Sequence, residues 1–97
     1  LIIDPDNGKI IDSNIAAQNF YGWKKDELES KNISEINILT KEEIKKEMHR
    51  ARLKDANRFI FKHKLASGKI KEVEVYSHPI KYGDKNYLYS IIHDKNK

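Results

Sequence analysis

The chain opens with two short apolar runs that are separated by turn-forming residues. The runs cover residues 1–3 and 10–11, and the sequence Asp-Pro-Asp-Asn-Gly stands between them at positions 4–8. An Asn-Gly pair between two β-type runs is a strong short-range signal for a hairpin, because both residues adopt the backbone angles that tight turns require. The pattern therefore predicts two short antiparallel strands at the start of the chain.

Helical signals follow this hairpin. Asn14 is suited to cap a short helix that Gly22 then ends, and residues 24–28 predict a further helical turn. The next stretch predicts a loop with one turn of helix around residues 34–36. Several short helices, rather than one long one, are therefore expected before position 40.

The longest predicted helix runs from residue 41 to about Lys54. Thr40 and Glu43 form a capping box, in which each side chain accepts a hydrogen bond from the other residue's backbone amide. Its apolar positions recur at spacings of four and three, which is typical of one buried helix face. These positions are Ile44, Met48 and Ala51.

From residue 58 onward the apolar period changes to two, which predicts strands. Two further alternating stretches, 70–80 and 87–93, follow turns at residues 67–68 and 82–86. Strands joined by tight turns indicate an antiparallel meander. The order of elements therefore indicates an α+β domain: a five-stranded antiparallel sheet with short helices and one longer helix packed on one face.

Length and composition limit what such a domain can do. Ninety-seven residues form one domain, and we expect residues 1–97 to be a single module excised from a longer protein. The net charge is +4, but the lysines are scattered among acidic residues, and no arginine cluster or basic stripe with interleaved aromatic residues is present. We therefore expect no nucleic-acid partner.

The chain contains no cysteine. This excludes disulfides, thiolate catalysis and cysteine-ligated zinc, and it is compatible with the cytoplasm, where we expect the protein to act. No apolar run approaches the roughly 20 residues of a membrane span, so no membrane contact is expected from this segment. No set of side chains has the spacing of a metal site or a catalytic group, so an enzyme is not expected either.

Four stretches resemble the pattern of PAS domains in order and spacing, and together they cover essentially the whole chain. They are the opening hairpin with Asn14 and the segment Phe20-Tyr21-Gly22-Trp23, then Glu27-Leu28 with Ile33, then the hairpin from His63 to Ile80, and finally Tyr89 to Asp94. The third stretch is similar to a hairpin of PAS modules in bacterial and archaeal sensor kinases and diguanylate cyclases. One departure is that Lys95 and Asn96 follow Asp94, where the family usually has Ile or Val and then Thr.

The resemblance implies a regulatory module that passes a ligand- or partner-dependent signal to a covalently attached effector, a histidine kinase or a diguanylate cyclase. Asp94 would be the junction through which that signal leaves. The resemblance also implies a homodimer through the sheet or flanking helices, and exposed apolar positions on the outer sheet face suit this, including Ile60, Tyr76 and Ile80. The alternative is a dimerisation or interaction scaffold that senses nothing.

Cofactor chemistry is restricted by the residues present. The flavin-adduct and thioester-chromophore subclasses of the family need a cysteine, so no covalent flavin is expected. Certain haem-binding members of the family use a histidine on the long helix as the axial ligand, but His49 lies about 100° round the helix from Met48 and is expected to be a surface residue, so haem is not expected. Asp4, Asp6 and Asn7 lack the later bidentate acid of a calcium-binding loop, so no metal site is predicted.

A small-molecule ligand remains the open alternative to a filled core. It would lie between the sheet and the long helix, in a cleft that is mostly apolar with few polar groups. His63 is in phase with Phe59 and Phe61, so its ring is expected to point towards the core, either as a hydrogen-bonded core residue or as a ligand contact. The candidate residues for this site are Phe20, Ile36, Ile44, Met48, Phe61, His63 and Tyr89.

Overall fold

The computed structural model of the protein describes residues 1–53 and 57–95, and the side chains of Met48 and residues 51–53 lie outside this description. Five strands and four helices form the fold. In chain order they are β1 (Ile2–Ile3), β2 (Ile10–Asp12), α1 (Ile15–Tyr21), α2 (Lys25–Leu28), α3 (Ile33–Ile36), α4 (Lys41–Leu53), β3 (Arg58–Lys64), β4 (Ile70–Tyr82) and β5 (Lys85–Asp94).

The five strands form one sheet in the order β2-β1-β5-β4-β3, and all neighbours are antiparallel. The predicted α+β architecture is therefore confirmed. The opening hairpin joins the closing meander because β1 pairs with β5, so Leu1 and Ser90 exchange two backbone hydrogen bonds. The centre of the sheet thus contains the first and the last strand of the chain.

The short helices begin and end where the sequence predicts. The Asn14 side chain accepts a hydrogen bond from the amide of Ala17, and Gly22 ends α1 in the left-handed conformation with φ +86°. The capping box of Thr40 and Glu43 is present at the start of α4. Among the described helices, none is both long enough and apolar enough to cross a membrane.

Alternation along the long strands separates an inner face from an outer face. Val73 and Val75 of β4 are buried on the inner face, opposite Phe61 and Phe59 of β3. The core lies between this face and the short helices, which reach both ends of the sheet: Asn32 bridges to Lys9 beside β2, and Asn37 bridges to His63 of β3. The buried cluster consists of Leu1, Ile3, Ile10, Ala17, Tyr21, Leu28 and Ile36.

Polar contacts hold the long helix α4 to β3. Ile44 is partly buried, while Met48 and Ala51 of the predicted stripe have side chains outside the described part of the chain, as does the predicted last residue, Lys54. The carboxylate of Glu47, in contrast, accepts a hydrogen bond from the backbone amide of Ile60 on β3. Because β3 is an edge strand, this contact satisfies an amide that the sheet leaves unpaired.

Gly8 closes the first hairpin against α3. Its φ of +77° is in the left-handed region, and a Cβ atom there would lie 2.6 Å from the side-chain oxygen of Asn32. Asn32 caps α3 by accepting a hydrogen bond from Ser34, and its amide donates to the carbonyl of Asn7. The turn therefore needs glycine for two reasons, backbone conformation and close approach.

We expect Gly8→Ala to destabilise the fold by about 2–3 kcal/mol, which is more than the roughly 1 kcal/mol of left-handed strain alone. Gly68→Ala is the matched control, because Gly68 also has a positive φ (+88°) but no atom within 4 Å of the added carbon. Urea denaturation of both variants measures the difference. Equal losses at the two positions would show that the contact with Asn32 contributes nothing.

Candidate functional site

A buried pair of polar side chains lies between the sheet and the first helix. His63, on the inner face of β3, is 1% exposed, and Tyr21, the last residue of α1, is also 1% exposed. The Tyr21 hydroxyl and His63 Nδ1 lie 2.8 Å apart and share a hydrogen bond. His63 thus points into the core as predicted, and it ties α1 to β3 across 42 residues of sequence.

The second ring nitrogen of His63 is buried and has no hydrogen-bond partner in the described part of the chain. If the Tyr21 hydroxyl donates to Nδ1, Nε2 carries the ring proton and is the one unmatched donor. If Nδ1 donates instead, Nε2 becomes an unmatched acceptor and the tyrosine proton has lost its acceptor as well. The first arrangement leaves fewer unsatisfied groups, so we assign Nε2 as a buried N–H donor.

Burial keeps this pair neutral. Desolvation lowers the pKa of His63 to about 4 and raises the pKa of Tyr21 well above its usual range. The charged form of each group is disfavoured because the surroundings are apolar. At neutral pH the site therefore presents an uncharged imidazole, which suits hydrogen bonding to a neutral acceptor rather than pairing with an ion.

Three aromatic rings form a ladder along the inner face of β3. The centroids of Phe59 and Phe61 are 5.6 Å apart with nearly parallel planes, and those of Phe61 and His63 are 6.2 Å apart at 11°. Phe59 and Phe61 are only partly buried, whereas His63 is fully buried. The ladder forms an apolar wall beside α4, with a polar ring at one end.

The predicted site residues do not all meet at one place. Phe61 and His63 are in ring contact, Ile36 is fully buried in the core cluster, Ile44 lies on α4, and Met48 has a side chain outside the described residues. Phe20 packs against the core cluster and also lines a separate notch at the sheet edge. Their grouping into one ligand site therefore stays a prediction.

Tyr89 requires a correction. It was expected in the cleft between the sheet and α4, but the register of β5 places it on the outer face, opposite His78 and Ile2, where it is 43% exposed. The inward positions of β5 are Leu88, Ser90 and Ile92. The sequence alone did not show which residues of β5 face inward, because apolar side chains occur at both of its alternating series of positions.

The notch, of about 510 Å³, lies between α1 and β5. Residues of α1 and residues 89–93 of β5 line it, together with Leu1, Ile2 and residues 12–14. Phe20 and Tyr89 both contact it, from opposite faces of the sheet. Sequence reasoning missed the notch because its lining residues come from segments that lie far apart in the chain.

The predicted junction, Asp94, ends β5. Its carboxylate lies 3.1 Å from the Lys71 ammonium, and the next residue, Lys95, bonds to Glu72 through its amide (3.1 Å to the carbonyl) and its side chain (2.8 Å to the carboxylate). Lys71 is also the cross-strand partner of His63. Lys71 of β4 therefore links the two sites: its backbone is paired with that of His63, and its side chain forms an ion pair with Asp94 at the end of β5.

No group of three or more metal-binding side chains converges within the described residues. His49 lies on α4 and is exposed, as predicted for a surface residue. The exclusion of haem and of covalent flavin remains a prediction from the sequence.

Comparison with known proteins identifies what this arrangement is similar to. A family model described as a PAS domain matches residues 1–97. The diguanylate cyclase DgcM of Escherichia coli K12 is 41% identical over 98 residues, and the same protein of Escherichia coli O157:H7 shows the same identity. Each match covers 97% of this chain but 23% of the relative, so the chain spans under a quarter of the length of these curated relatives.

Solved structures agree on the fold. A PAS domain from Desulfitobacterium hafniense superimposes with a TM-score of 0.77 at 21% identity, over 97% of this chain and 89% of that one. A PAS domain from a two-component sensor histidine kinase gives a TM-score of 0.76 at 19% identity, over 97% and 81% of the two chains. At these identities the likeness concerns architecture alone.

Proposed function

Because the chain belongs to the PAS domain family, we propose that it is a regulatory sensor module that passes its conformational state to an effector domain of the same polypeptide. The observation that carries this proposal is the short path from the buried His63 to Asp94 through Lys71. A change in packing at the inner face of β3 can reach the end of β5 through one side chain. We also propose that the module acts in the cytoplasm, which suits its lack of cysteine.

We propose a diguanylate cyclase as the effector, in preference to a histidine kinase. The 41% identity to the Escherichia coli cyclase supports the first choice, whereas the resemblance to the sensor-kinase domain is one of fold. The catalytic part of such a cyclase would lie outside these 97 residues. The module itself would supply no catalytic group.

The signal would be a small neutral molecule bound between α4 and the aromatic ladder of β3. Phe59 and Phe61 offer a partly exposed apolar wall, and His63 Nε2 offers one buried donor at its end. A ligand of this kind can shift the effector only if it binds one state of the module more tightly than the other. Native mass spectrometry of the purified chain tests this site directly, because a retained small molecule supports sensing and its consistent absence opposes it.

The junction gives a test of signal transfer. We expect Asp94→Asn in the parent protein to change effector activity by about fivefold or more, since coupling free energies between sites are typically 1–3 kcal/mol. The neutral amide keeps the shape of the side chain but loses the ion pair with Lys71. Asp84→Asn, in the exposed turn before β5, is the control and should leave activity unchanged. Equal activity of the two variants would contradict transfer through Asp94.

A second candidate, a dimerisation scaffold, is favoured by the outer face of the sheet. Ile80, Tyr89 and Ile91 are each about two-fifths exposed there, which is unusual for large apolar side chains near one another. We expect this face to pair two copies, and Ile91→Glu to shift the protein towards monomer, because it places a charge in the contact. Light scattering after size-exclusion chromatography measures this. A wild-type protein that stays monomeric at all concentrations would contradict the dimer.

A further inference from the structure

Strand β3 is an edge of the sheet, and side chains of a helix bind the backbone along this edge. The Glu47 carboxylate of α4 accepts a hydrogen bond from the Ile60 amide, and the Arg50 guanidinium donates one to the Arg58 carbonyl at 3.0 Å. An outward amide and an outward carbonyl of an edge strand are the groups that an added strand would bind. Glu47 and Arg50 therefore form a cover, in the place that the backbone of an added strand would take.

Acidic side chains of α4 follow this edge at the spacing of a strand. Glu43 and Glu47 are one helical turn apart, about 6 Å along the axis, which is close to the roughly 6.6 Å between alternate residues of a strand. Glu47 binds the Ile60 amide. The pKa of Glu43 is lowered first by its hydrogen bonds with Thr40 and also by the charge of Lys62. The two acids thus lie along β3 in the way that alternate side chains of a strand would.

Strand β4 shows which pattern of residues pairs with β3 on its other side. Residues 72–75 of β4 read Glu-Val-Glu-Val. Both valines are buried on the inner face, opposite the two phenylalanines of β3. On the outer face Glu74 pairs with Arg58 at 2.8 Å, and Glu72 is the cross-strand partner of Lys62. A strand at the covered edge would meet the same side chains of β3, so the same alternation would suit it.

We propose that the edge of β3 from Arg58 to Phe61 is a docking site for an extended peptide of a partner protein, in which acidic residues alternate with apolar ones. The cover closes this site as an internal imitation of the peptide. A docking peptide would displace α4 and form backbone hydrogen bonds with β3. Its apolar side chains would pack beside Phe59 and Phe61, which are only partly buried.

The charges of β3 select the occupant and the neighbouring loop limits its length. The strand carries Arg58, Lys62 and Lys64 and no acidic residue, so two β3 strands side by side would place like charges together. A second copy is therefore disfavoured, and an acidic partner is favoured. Beyond Phe61 the Lys62 carbonyl already accepts a hydrogen bond from the Ile38 amide at 2.9 Å, so the peptide would pair with about four residues.

The docked peptide would give the module a protein signal in addition to the proposed small molecule. It would release α4, whose contacts with β3 the cover provides. This inference rests on the proposed function only for the regulatory meaning of that release. Docking is read from peptide binding, whereas failure of the sensor function would appear in effector activity.

Fluorescence anisotropy of a labelled peptide with alternating glutamate and valine, titrated with the parent polypeptide, tests the docking. We expect Glu47→Ala to bind this peptide about tenfold or more tightly than the wild type, because the apparent affinity scales with the uncovered fraction. Glu42→Ala, which removes an exposed acid from the same helix, is the control and should bind as the wild type does. A peptide with alternating lysine and valine should not bind to either variant.

Charge reversal locates the peptide at this edge. In the Glu47→Ala background, Lys62→Glu should weaken binding of the glutamate peptide about fivefold, because it replaces an attraction with a repulsion. Lys69→Glu makes the same change of charge in the exposed turn after β3 and should leave binding unchanged. Slow hydrogen exchange in the core around Leu28 shows that each variant is folded.

Four results would overturn the proposal. A folded Glu47→Ala that binds the glutamate peptide no more tightly than the wild type would show that nothing is covered. Equal binding of the lysine peptide would show that the acidic residues are not recognised. Equal effects of the two charge reversals would place the peptide elsewhere. Dimers of Glu47→Ala that exclude the peptide, measured by light scattering, would assign the edge to a second copy.

Discussion

Acidification from about pH 7 to about pH 4.5 is expected to destabilise the protein by roughly 2–3 kcal/mol through His63 alone. The pKa of His63 is about 4 in the fold, below the ordinary value of roughly 6.5 that it regains on unfolding. Between these values the unfolded chain binds a proton that the folded chain does not bind. The stability due to neutral His63 is therefore complete above the unfolded value and is lost as the pH falls towards 4.

The double variant Tyr21→Phe with His63→Phe isolates this contribution. Replacing both partners with apolar rings of similar shape should change stability at neutral pH by about 1 kcal/mol or less, because no buried polar group is left without a partner. Between about pH 7 and about pH 4.5, this variant should lose about 2–3 kcal/mol less stability than the wild type loses. Thermal and urea unfolding at several pH values measures both quantities.

His93→Phe is the matched control for this variant, because His93 is exposed on the outer face of the sheet. It should retain the acid sensitivity of the wild type. Identical acid dependence in the wild type and the double variant would contradict a buried neutral histidine. It would also remove the basis for assigning Nε2 as a donor to a ligand.

Loss of the Glu47 carboxylate is expected to loosen α4 from the sheet at a cost of about 2 kcal/mol. Glu47 binds the Ile60 amide and pairs with Arg50 at 2.5 Å, and Arg50 in turn donates to the carbonyl of Arg58. The Arg50 hydrogen bond holds the pKa of Glu47 below its usual value, so the carboxylate is charged at neutral pH. Glu47→Ala leaves both the amide and the guanidinium without this acceptor.

Hydrogen exchange should locate this effect. We expect faster exchange along α4 and at the Ile60 amide in Glu47→Ala, with little change in the core around Leu28. Glu42→Ala is the control, because Glu42 is an exposed acid in the first turn of α4 whose favourable dipole interaction is worth about 1 kcal/mol or less. Equal exchange at Ile60 in both variants would show that α4 is held by its apolar contacts instead.

Local sequence signals predicted most of the fold. The Asn-Gly turn, the Asn14 cap, the Gly22 stop and the capping box at Thr40 each act within a few residues, so their chemistry is visible in the sequence. The inward orientation of His63 was also predictable, since a strand places alternate residues on one face and Phe59 and Phe61 fixed the phase. These features account for the architecture and for one polar residue of the candidate site.

Contacts between distant residues could not be predicted in the same way. Tyr21 bonds to His63 across 42 residues, and its neighbour Phe20 was the one expected at the site, because nothing in the sequence shows which face of a two-turn helix meets β3. Glu47 looks like an ordinary surface acid until β3 is known to be an edge strand. The outward orientation of Tyr89 likewise follows from strand pairing, which a local pattern does not determine.

Effector activity of the parent protein tests the central claim most directly. It is measured for the wild type, for Glu47→Ala, for Asp94→Asn and for the variant that combines Glu47→Ala with Asp94→Asn. If the state of α4 and β3 reaches the effector through Asp94, Glu47→Ala will change activity and this change will largely disappear in the Asp94→Asn background, giving a non-additive cycle. Independent effects of the two substitutions, or an unchanged activity in Glu47→Ala despite faster exchange along α4, would contradict a sensor that signals through this junction.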